Sequence, residues 1–175
     1  MGKLSTDPYF PPKPTAPKAL NADHILDDFD CGNDTLNDWL KRRAIKNDAS
    51  GASRTYVVCH QRHVIAYYTL STGSVQCTDT PGRIRRNMPD PIPVMILGRL
   101  AVHLDWQKKG LGGDLLADGV KRTLQAAEIA GIRAFVVHVL SEEAKRFYEQ
   151  FAFQPSPTDP MDLMITLKDA QSNLV

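Results

Sequence analysis

The chain has 175 residues, of which 42% are hydrophobic and 23% are charged, a composition typical of one globular domain. Its 21 Lys and Arg residues against 20 Asp and Glu residues give a formal net charge of +1, which excludes a polycationic or strongly acidic protein. No apolar run approaches the roughly 18 residues of a membrane span, and no apolar stretch typical of a signal peptide opens the chain. We therefore expect a soluble, cytoplasmic protein without membrane contact. Its three cysteines have no spacing typical of a disulfide framework or a zinc site.

The first part of the chain is rich in proline, which fixes backbone angles and removes amide donors. We expect residues 1–19 to form a flexible N-terminal extension and residues 20–170 to form one folded domain. Within that domain, Asn33 or Asp34 can cap a helix whose apolar residues recur at helical spacing and which ends near Gly51.

Runs of β-branched, aromatic and other apolar residues predict the strands of the domain. A hairpin is expected first, then a loop rich in Gly and Pro over residues 72–93, and then a buried strand in which Gly98 indicates a bulge. A helix from about residue 112 to 130 joins that strand to the next, so the two strands should be parallel. Ser141 can cap a further short helix. The expected strands span residues 54–60, 64–70, 94–102, 133–139 and 163–167.

A glycine-rich segment, QKKGLGG, joins the buried strand to the long helix. Glycines there let successive backbone amides point outward, and the positive end of the helix dipole lies beside them. Such a segment can bind a pyrophosphate, although an ordinary glycine-rich turn is the alternative, and the string is neither a Walker A nor a Rossmann motif. The residues expected at the pyrophosphate are Gln107, Lys108, Lys109, Gly110, Leu111, Gly112 and Gly113.

This segment resembles the Q/R-x-x-G-x-G/A loop of the GNAT N-acetyltransferases, which binds the pyrophosphate of acetyl-CoA. Further strings are similar to the TacT/AtaT group, the acetyltransferase toxins of type II toxin–antitoxin systems. The resemblance, which covers about residues 24–167, implies an α/β fold of the GNAT (acyl-CoA N-acyltransferase) type. In that fold a mixed, mostly antiparallel sheet is flanked by helices and contains a splayed parallel strand pair. The strings are FDCG (29–32), WLKRRAIKN (39–47), GASRTYVV (51–58), RRNMPDPIPV (85–94) and RLAV (99–102).

By this resemblance Tyr148 is the catalytic tyrosine, which donates a proton to the departing CoA thiolate. A phenol with a pKa of about 10 stays protonated at neutral pH and can serve as that acid. From periodicity alone, packing in the core would be the preferred role, because Tyr148 shares a helical face with other apolar residues. Acetyl-CoA is then the co-substrate, and no metal is required. The remaining cofactor-binding residues are expected to be Leu100, Ala101, Val102, Ala144 and Phe147.

The buried strand 94–102 contains no Asp or Glu, the residue that many GNAT enzymes use there as a general base. At pH 7 a lysine side chain is a free amine in only about one molecule in 2,500, whereas an α-amino group is free in about one in six. The lack of a carboxylate therefore favours an α-amino acceptor. His103 and His138 are possible bases that would act through water.

Basic residues are concentrated in the middle of the chain, where residues 41–109 hold twelve Lys and Arg against four Asp. As isolated runs they would be solvated faces, but together with the resemblance they indicate a surface that contacts RNA phosphates. The candidate tRNA-binding residues are Lys41, Arg42, Lys46, Arg83, Arg85 and Arg86.

The resemblance implies an enzyme that moves acetyl from acetyl-CoA to the α-amino group of aminoacyl-tRNA and so blocks translation. It also implies a homodimer and a cognate ribbon-helix-helix antitoxin. Two alternatives remain open, an N-acetyltransferase of protein N-termini or small amines and a non-catalytic nucleic-acid-binding corepressor.

Overall fold

The computed structural model describes residues 12–175, which form a seven-stranded sheet with helices on both faces. The strands are β1 (Lys18–Ala19), β2 (Arg54–His60), β3 (His63–Val75), β4 (Ile92–Val102), β5 (Ala134–His138), β6 (Gln154–Pro155) and β7 (Asp162–Thr166). The helices are α1 (Asp34–Arg42), α2 (Ala44–Ser50), α3 (Gly82–Arg85), α4 (Leu111–Ala127), α5 (Glu142–Glu149) and α6 (Leu167–Leu174). Across the sheet the strand order is β1-β2-β3-β4-β5-β7-β6.

β4 and β5 form a parallel pair, while the other neighbouring strands pair antiparallel. Their register runs from Val94 opposite Ala134 to Leu97 opposite Val137. Beyond Leu97, β4 continues to Val102 and pairs with β3 alone. The predicted mixed sheet with a splayed parallel pair is therefore confirmed, and a gap opens beside the C-terminal end of β4.

A β-bulge at Gly98 lies next to this gap. Thr69 of β3 is opposite Arg99 whereas Leu70 is opposite Leu97, so Gly98 is the extra residue. A Cβ atom at Gly98 would lie 2.8 Å from Oγ1 of Thr69, closer than real side chains come, which explains the glycine. The predicted bulge is confirmed, and it turns the last residues of β4 away from the regular course of the strand.

Helices cover both faces of the sheet. On one face α4, α5 and α6 pack over the main core, in which Leu115, Leu116 and Val120 of α4 are fully buried. Burial of side chains of this size is worth about 1.5–3 kcal/mol each, so this packing is the chief stabilising contact of the sheet. The opposite face, which we call the α1 face, is covered by α1 and α2 through residues such as Leu40 and by α3 through Ile84.

Elements differ from the sequence-based expectations in several places; for example, β1 and β6 are not predicted and α4 ends at Ala127. The single helix expected up to Gly51 is divided at Arg43, whose backbone N–H caps α1 by donating to the carbonyl of Trp39. The loop expected over residues 72–93 is shorter, because pairing between β3 and β4 extends both strands and α3 forms between them. The sequence patterns also do not predict α6, which follows the last strand.

The expected N-terminal extension, residues 1–19, falls partly outside the described residues. Within the described part, the N–H of Thr15 donates to the carbonyl of Cys59 at 2.8 Å, and the N–H of Cys59 donates to Oγ1 of Thr15 at 3.0 Å. β1 then pairs with β2. Residues from Thr15 onward therefore belong to the folded part, which begins before the expected boundary at residue 20. They form hydrogen bonds with backbone groups that β2 would otherwise expose at the edge of the sheet. Within residues 12–175 no helix is both long and apolar enough to cross a membrane.

Candidate active site

A cavity of about 540 Å³ lies where β4 separates from β5. The end of β4 lines it, together with the glycine-rich segment and the start of α4. Helix α5 forms a second wall, and the segment that enters α1 forms a third. The structure therefore brings most of the predicted cofactor residues together. Those that line the cavity are Leu100, Ala101, Val102, Gln107, Lys108, Gly110, Leu111, Gly112, Gly113, Ala144, Phe147 and Tyr148.

The N-terminus of α4 presents backbone amides to this cavity. Gly110 is the N-cap residue, has a φ of +86° and offers no side chain to cap the helix. Because N–H groups in the first turn of a helix have no intrahelical acceptor, the amides of Leu111, Gly112 and Gly113 are available to a ligand. The helix dipole adds a positive partial charge at the same place. This end of the cavity can therefore hold an anionic group such as a pyrophosphate.

Gly112, in the first turn of α4, lies beside Phe147 of α5. A Cβ atom there would lie 3.4 Å from Cζ and 3.5 Å from Cε2 of Phe147. The ring of Phe147 in turn packs edge-on against Tyr148, with ring centroids 5.0 Å apart. A side chain at position 112 would therefore meet Phe147 at ordinary van der Waals distance, next to Tyr148.

Tyr148 lines the cavity although only 5% of its surface is exposed. Its helix begins as the sequence predicts, with Oγ of Ser141 accepting the N–H of Ala144 at 3.1 Å. Burial raises the pKa of Tyr148 above the ordinary value for tyrosine, because the charged phenolate is poorly solvated there. The phenol therefore stays protonated at and well above neutral pH and can act as a hydrogen-bond donor.

One predicted cofactor residue is absent from the cavity lining, and six lining residues are additional to the prediction. Nζ of Lys109 lies 5.0 Å from the centroid of the Trp106 ring, so this side chain follows the indole instead of entering the cavity. Within the segment that enters α1, the sequence indicates only the FDCG string and a helix cap at Asn33 or Asp34, and it identifies Ser141 only as a helix cap. The additional residues are Cys31, Asn33, Leu36, Trp106, Ser141 and Glu143.

The side-chain amide of Gln107 is bound by the protein itself. Its Nε2 donates to the carbonyl of Cys31 at 3.1 Å and to the carbonyl of Val102 at 2.9 Å. The side chain therefore links the segment that enters α1 to the end of β4.

Neither candidate histidine lines the cavity. Nδ1 of His103 accepts the backbone N–H of Asp105 at 3.1 Å, and Nε2 lies 3.2 Å from the carbonyl of Asp28, so both ring nitrogens are occupied. His138 is hydrogen-bonded through Nδ1 to Asp162 at 2.5 Å. Outside the cavity, His138, Asp159 and Asp162 hold their ligand atoms within 4.8 Å of one another, an arrangement that could accept a metal ion.

Most of the candidate tRNA-binding residues are exposed on helices of the α1 face. Arg83 differs from the others, because Nε and Nη2 each donate to a carboxylate oxygen of Asp169 at 2.6 Å. Its charge is balanced by Asp169 within the protein, which distinguishes Arg83 from the other candidate tRNA-binding residues. The exposed residues are Lys41, Arg42 and Lys46 of α1 and α2, and Arg85 and Arg86 at the end of α3.

The splayed strand pair, the bulge in β4 and the open amides of α4 define an acetyltransferase of the GNAT class. The sequence model of the acetyltransferase (GNAT) domain matches residues 51–155, and the chain belongs to this family.

Relatives with curated names point to one group within the family. The chain is 46% identical over 158 residues to a tRNA-acetylating toxin of Mycobacterium tuberculosis, a match that covers 90% of this chain and 95% of the relative. It is 27% identical to a probable toxin TacT of Sinorhizobium fredii, covering 82% of this chain and 86% of that protein.

Solved structures agree with this grouping. The toxin AtaT in complex with acetyl-methionyl-tRNAfMet is similar with a TM-score of 0.85 and 28% identity, over 91% of this chain and 98% of AtaT. A Tyr-to-Phe mutant of AtaT bound to acetyl-CoA and the C-terminus of the antitoxin AtaR is similar with a TM-score of 0.79 and 28% identity, over 91% and 96% of the two chains.

Proposed function

We propose that this protein transfers acetyl from acetyl-CoA to the α-amino group of aminoacyl-tRNA, which yields N-acetyl-aminoacyl-tRNA and blocks translation. One observation carries the proposal. A single cavity joins the open amides of α4, the free edge of β4 and the buried hydroxyl of Tyr148. The names of the relatives, a tRNA-acetylating toxin and a toxin in complex with acetyl-methionyl-tRNAfMet, support the choice of acceptor.

The backbone around α4 and β4 binds and orients the co-substrate. Amides of Leu111, Gly112 and Gly113 donate to the pyrophosphate, and Lys108 at the rim adds positive charge. The edge of β4 from Leu100 to Val102 has no β5 partner. Apart from the carbonyl of Val102, which accepts Gln107 Nε2, its backbone groups are therefore available to the amides of the pantetheine arm. Main-chain pairing of this kind leads the thioester toward Tyr148.

Tyr148 acts on the leaving group. As the acceptor nitrogen attacks the thioester carbonyl, an N–C bond forms and the C–S bond breaks. The hydroxyl of Tyr148 donates its proton to the departing sulfur and recovers one from water, while the proton lost by the amine passes to solvent. A thiolate whose conjugate acid has a pKa of about 8.5 is thereby stabilised by a phenol that burial keeps protonated.

One carboxylate, that of Glu143 on α5, lines the cavity, but the strand beside the acceptor favours an acceptor that already exists as a free amine. The stretch 94–102 supplies no carboxylate, and both ring nitrogens of His103 bind backbone groups. An α-amino group loses its proton about three pKa units more readily than a lysine side chain, so it needs less help from a protein base.

The exposed basic residues of the α1 face support RNA as the carrier of that amine. Helices α1, α2 and α3 lie on the same side of the sheet, and the segment that enters α1 also forms a wall of the cavity. A tRNA whose phosphates contact these basic residues would therefore have its acceptor end near the cavity wall formed by Cys31, Asn33 and Leu36. The basic residues are Lys41, Arg42, Lys46, Arg85 and Arg86.

The proposal includes the cellular setting of the toxin group. The chain acts in the cytoplasm as a homodimer and is inhibited by a cognate antitoxin of the ribbon-helix-helix class. The complex of AtaT with the C-terminus of its antitoxin AtaR supports an antitoxin partner. Light scattering of the purified chain, alone and with a candidate antitoxin of the ribbon-helix-helix class, tests both assemblies.

The test of the activity is an acceptor panel with labelled acetyl-CoA. The panel contains charged tRNAs, the same tRNAs uncharged, peptides with a free α-amino group, and small amines. We expect label on charged tRNA alone. Label on peptides or small amines without label on charged tRNA would contradict the proposal, and uptake by uncharged tRNA would show that the acceptor is not the amino acid.

A further inference from the structure

A turn between β4 and α4 holds the segment that enters α1 along its backbone. The carbonyl of Asp28 contacts His103 Nε2 at 3.2 Å, the carbonyl of Asp30 accepts the N–H of Leu104 at 2.9 Å, and the carbonyl of Cys31 accepts Gln107 Nε2 at 3.1 Å. We call residues 28–36 the acceptor wall, because Cys31, Asn33 and Leu36 line the cavity on the side where the acceptor is proposed to enter.

Gln107 is the point at which the acceptor wall meets the glycine-rich segment. A side-chain amide nitrogen has two N–H donors, and carbonyls of Cys31 and Val102 use both. Both partners are acceptors, so the amide must present its nitrogen to them. What remains is the side-chain oxygen, an acceptor that has no favourable contact with a pyrophosphate. The side chain therefore cannot bind an anion while these two bonds exist.

We propose that Gln107 is a positioning residue for the acyl acceptor, which fixes the acceptor wall to the end of β4 and couples it to occupancy of the glycine-rich segment. This inference rests on the proposed function for the identity of the acceptor. The backbone of Gln107 opens the segment that binds the pyrophosphate, while its side chain holds Cys31. Acetyl-CoA that orders the segment therefore also orders the wall against which the aminoacyl end is placed.

The hydrogen bond between Gln107 and Cys31 joins two segments that are distant in the sequence and are brought together by the fold. Cys31 and Gln107 are separated by 76 residues in the sequence. Gly32 follows Cys31 with a φ of +86°, and a Cβ atom there would lie 3.2 Å from Cδ2 of Leu104, so the wall is also packed tightly against the turn. The contact between Gln107 and Cys31 thus completes an interface that already brings the two segments together.

The variants that test this role change the donors with little change in size. Gln107→Met fills similar space without N–H donors, whereas Gln107→Arg keeps N–H donors on a longer side chain. Gln125→Met places the same substitution on the exposed surface of α4 and is the matched control.

Kinetics of the intact enzyme separate acceptor positioning from cofactor binding. We expect Gln107→Met to raise KM for aminoacyl-tRNA roughly tenfold, since two hydrogen bonds are lost, while the Kd for acetyl-CoA changes less than about twofold. In Gln107→Arg the KM for aminoacyl-tRNA should fall back most of the way to the wild-type value. Gln125→Met should have the wild-type KM and Kd. A Kd for acetyl-CoA that rises as much as the acceptor KM would overturn the inference, because it would place Gln107 on the cofactor.

Hydrogen–deuterium exchange tests the coupling without any acceptor. In the wild-type chain we expect acetyl-CoA to slow exchange in residues 108–113 and in residues 28–36. In Gln107→Met the first effect should persist and the second should disappear. Equal protection of residues 28–36 in both proteins, or no such protection in the wild-type chain, would contradict the coupling and leave the proposed function intact. If acetyl-CoA slows exchange in neither segment of the wild-type chain, acetyl-CoA binding is contradicted, and with it the proposed function.

Discussion

Arg83 and Asp169 form a bidentate ion pair that joins α3 to the first turn of α6, with Nε and Nη2 each 2.6 Å from a carboxylate oxygen. Two parallel N–H donors matched to a carboxylate are a specific geometry that fixes both side chains. Asp169 also lies close to the N-terminus of α6, where its backbone N–H donates to Thr166 Oγ1 at 3.2 Å. The pair therefore links the short helix α3 to α6.

This ion pair predicts a pH-dependent contribution to stability. The guanidinium of Arg83 holds the pKa of Asp169 below its usual range, so the carboxylate binds protons less readily in the folded chain than in the unfolded one. The stabilisation is then present above the unfolded pKa of about 4 and is lost as the pH falls through the lower folded pKa. Asp169→Asn should lower Tm at pH 7, and the Tm values of the two proteins should converge as the pH falls below the folded-state pKa of Asp169. A difference in Tm that stays constant from neutral to acidic pH would show that Asp169 acts through packing alone.

The basic residues of the α1 face predict a defect confined to the RNA substrate. Arg86→Glu and Lys46→Glu should each raise KM for aminoacyl-tRNA several-fold. The slope of log KM against log salt concentration should fall by roughly 0.7–0.9 for each lost phosphate contact. Lys121→Glu, an exposed charge reversal on α4 at the other face, is the matched control and should leave both quantities unchanged. Calorimetry of acetyl-CoA binding should give the same Kd for all three variants. Equal defects in Lys121→Glu and Arg86→Glu would argue for a nonspecific charge effect.

Tyr148 predicts a selective loss of the chemical step. Tyr148→Phe removes one hydroxyl from a buried ring, so the fold should persist while kcat falls by about 10²- to 10⁴-fold, as is typical when a general acid is removed. Tyr56→Phe is a matched control, because Tyr56 lies on β2 outside the cavity lining. Circular dichroism and single-turnover rates measure the two effects. Full activity in Tyr148→Phe would assign this residue to packing, the role that helical periodicity alone favours.

Gly110 predicts a defect in cofactor binding that arises from the backbone. Its φ of +86° is unfavourable for a residue with a side chain, so Gly110→Ala should cost about 1 kcal/mol or more and displace the amides of the first turn of α4. The affinity for acetyl-CoA should fall with it. Gly82→Ala has the same change in mass at a glycine with no heavy atom within 4 Å and no positive φ, and it should be neutral or slightly stabilising. Similar acetyl-CoA affinities for the two variants would show that the left-handed conformation at Gly110 is not needed.

Local patterns in the sequence predict the parts of this protein that local forces decide. The bulge at Gly98, the Ser141 cap and the parallel crossover depend on glycine chemistry, on side-chain caps and on strand periodicity, and each is readable within a few residues. The glycine-rich segment belongs to the same group, since its backbone conformation follows from residues 107–113 themselves.

Local patterns do not predict contacts between residues that are distant in the sequence. The basic run that contains Arg83 is indistinguishable in sequence from an RNA-binding surface, and only the fold brings Asp169 to it. Likewise, Gln107 fits the pattern of a pyrophosphate ligand, but the fold places the carbonyl of Cys31 within reach of its donors. The break at Arg43 and the addition of β1 to the sheet also depend on tertiary packing, which competes with local propensity and prevails.

The most direct measurement is the mass of the 3′-terminal aminoacyl-adenosine that ribonuclease releases from charged tRNA after incubation with this protein and acetyl-CoA. We predict the gain of one acetyl group on the amino acid, and no gain when the same tRNA carries the α-hydroxy analogue, which lacks the amine. Acetylation of the hydroxy analogue would contradict the proposed acceptor. An unchanged mass of the natural aminoacyl-adenosine across a set of charged tRNAs, while acetyl-CoA is bound, would contradict the proposed activity.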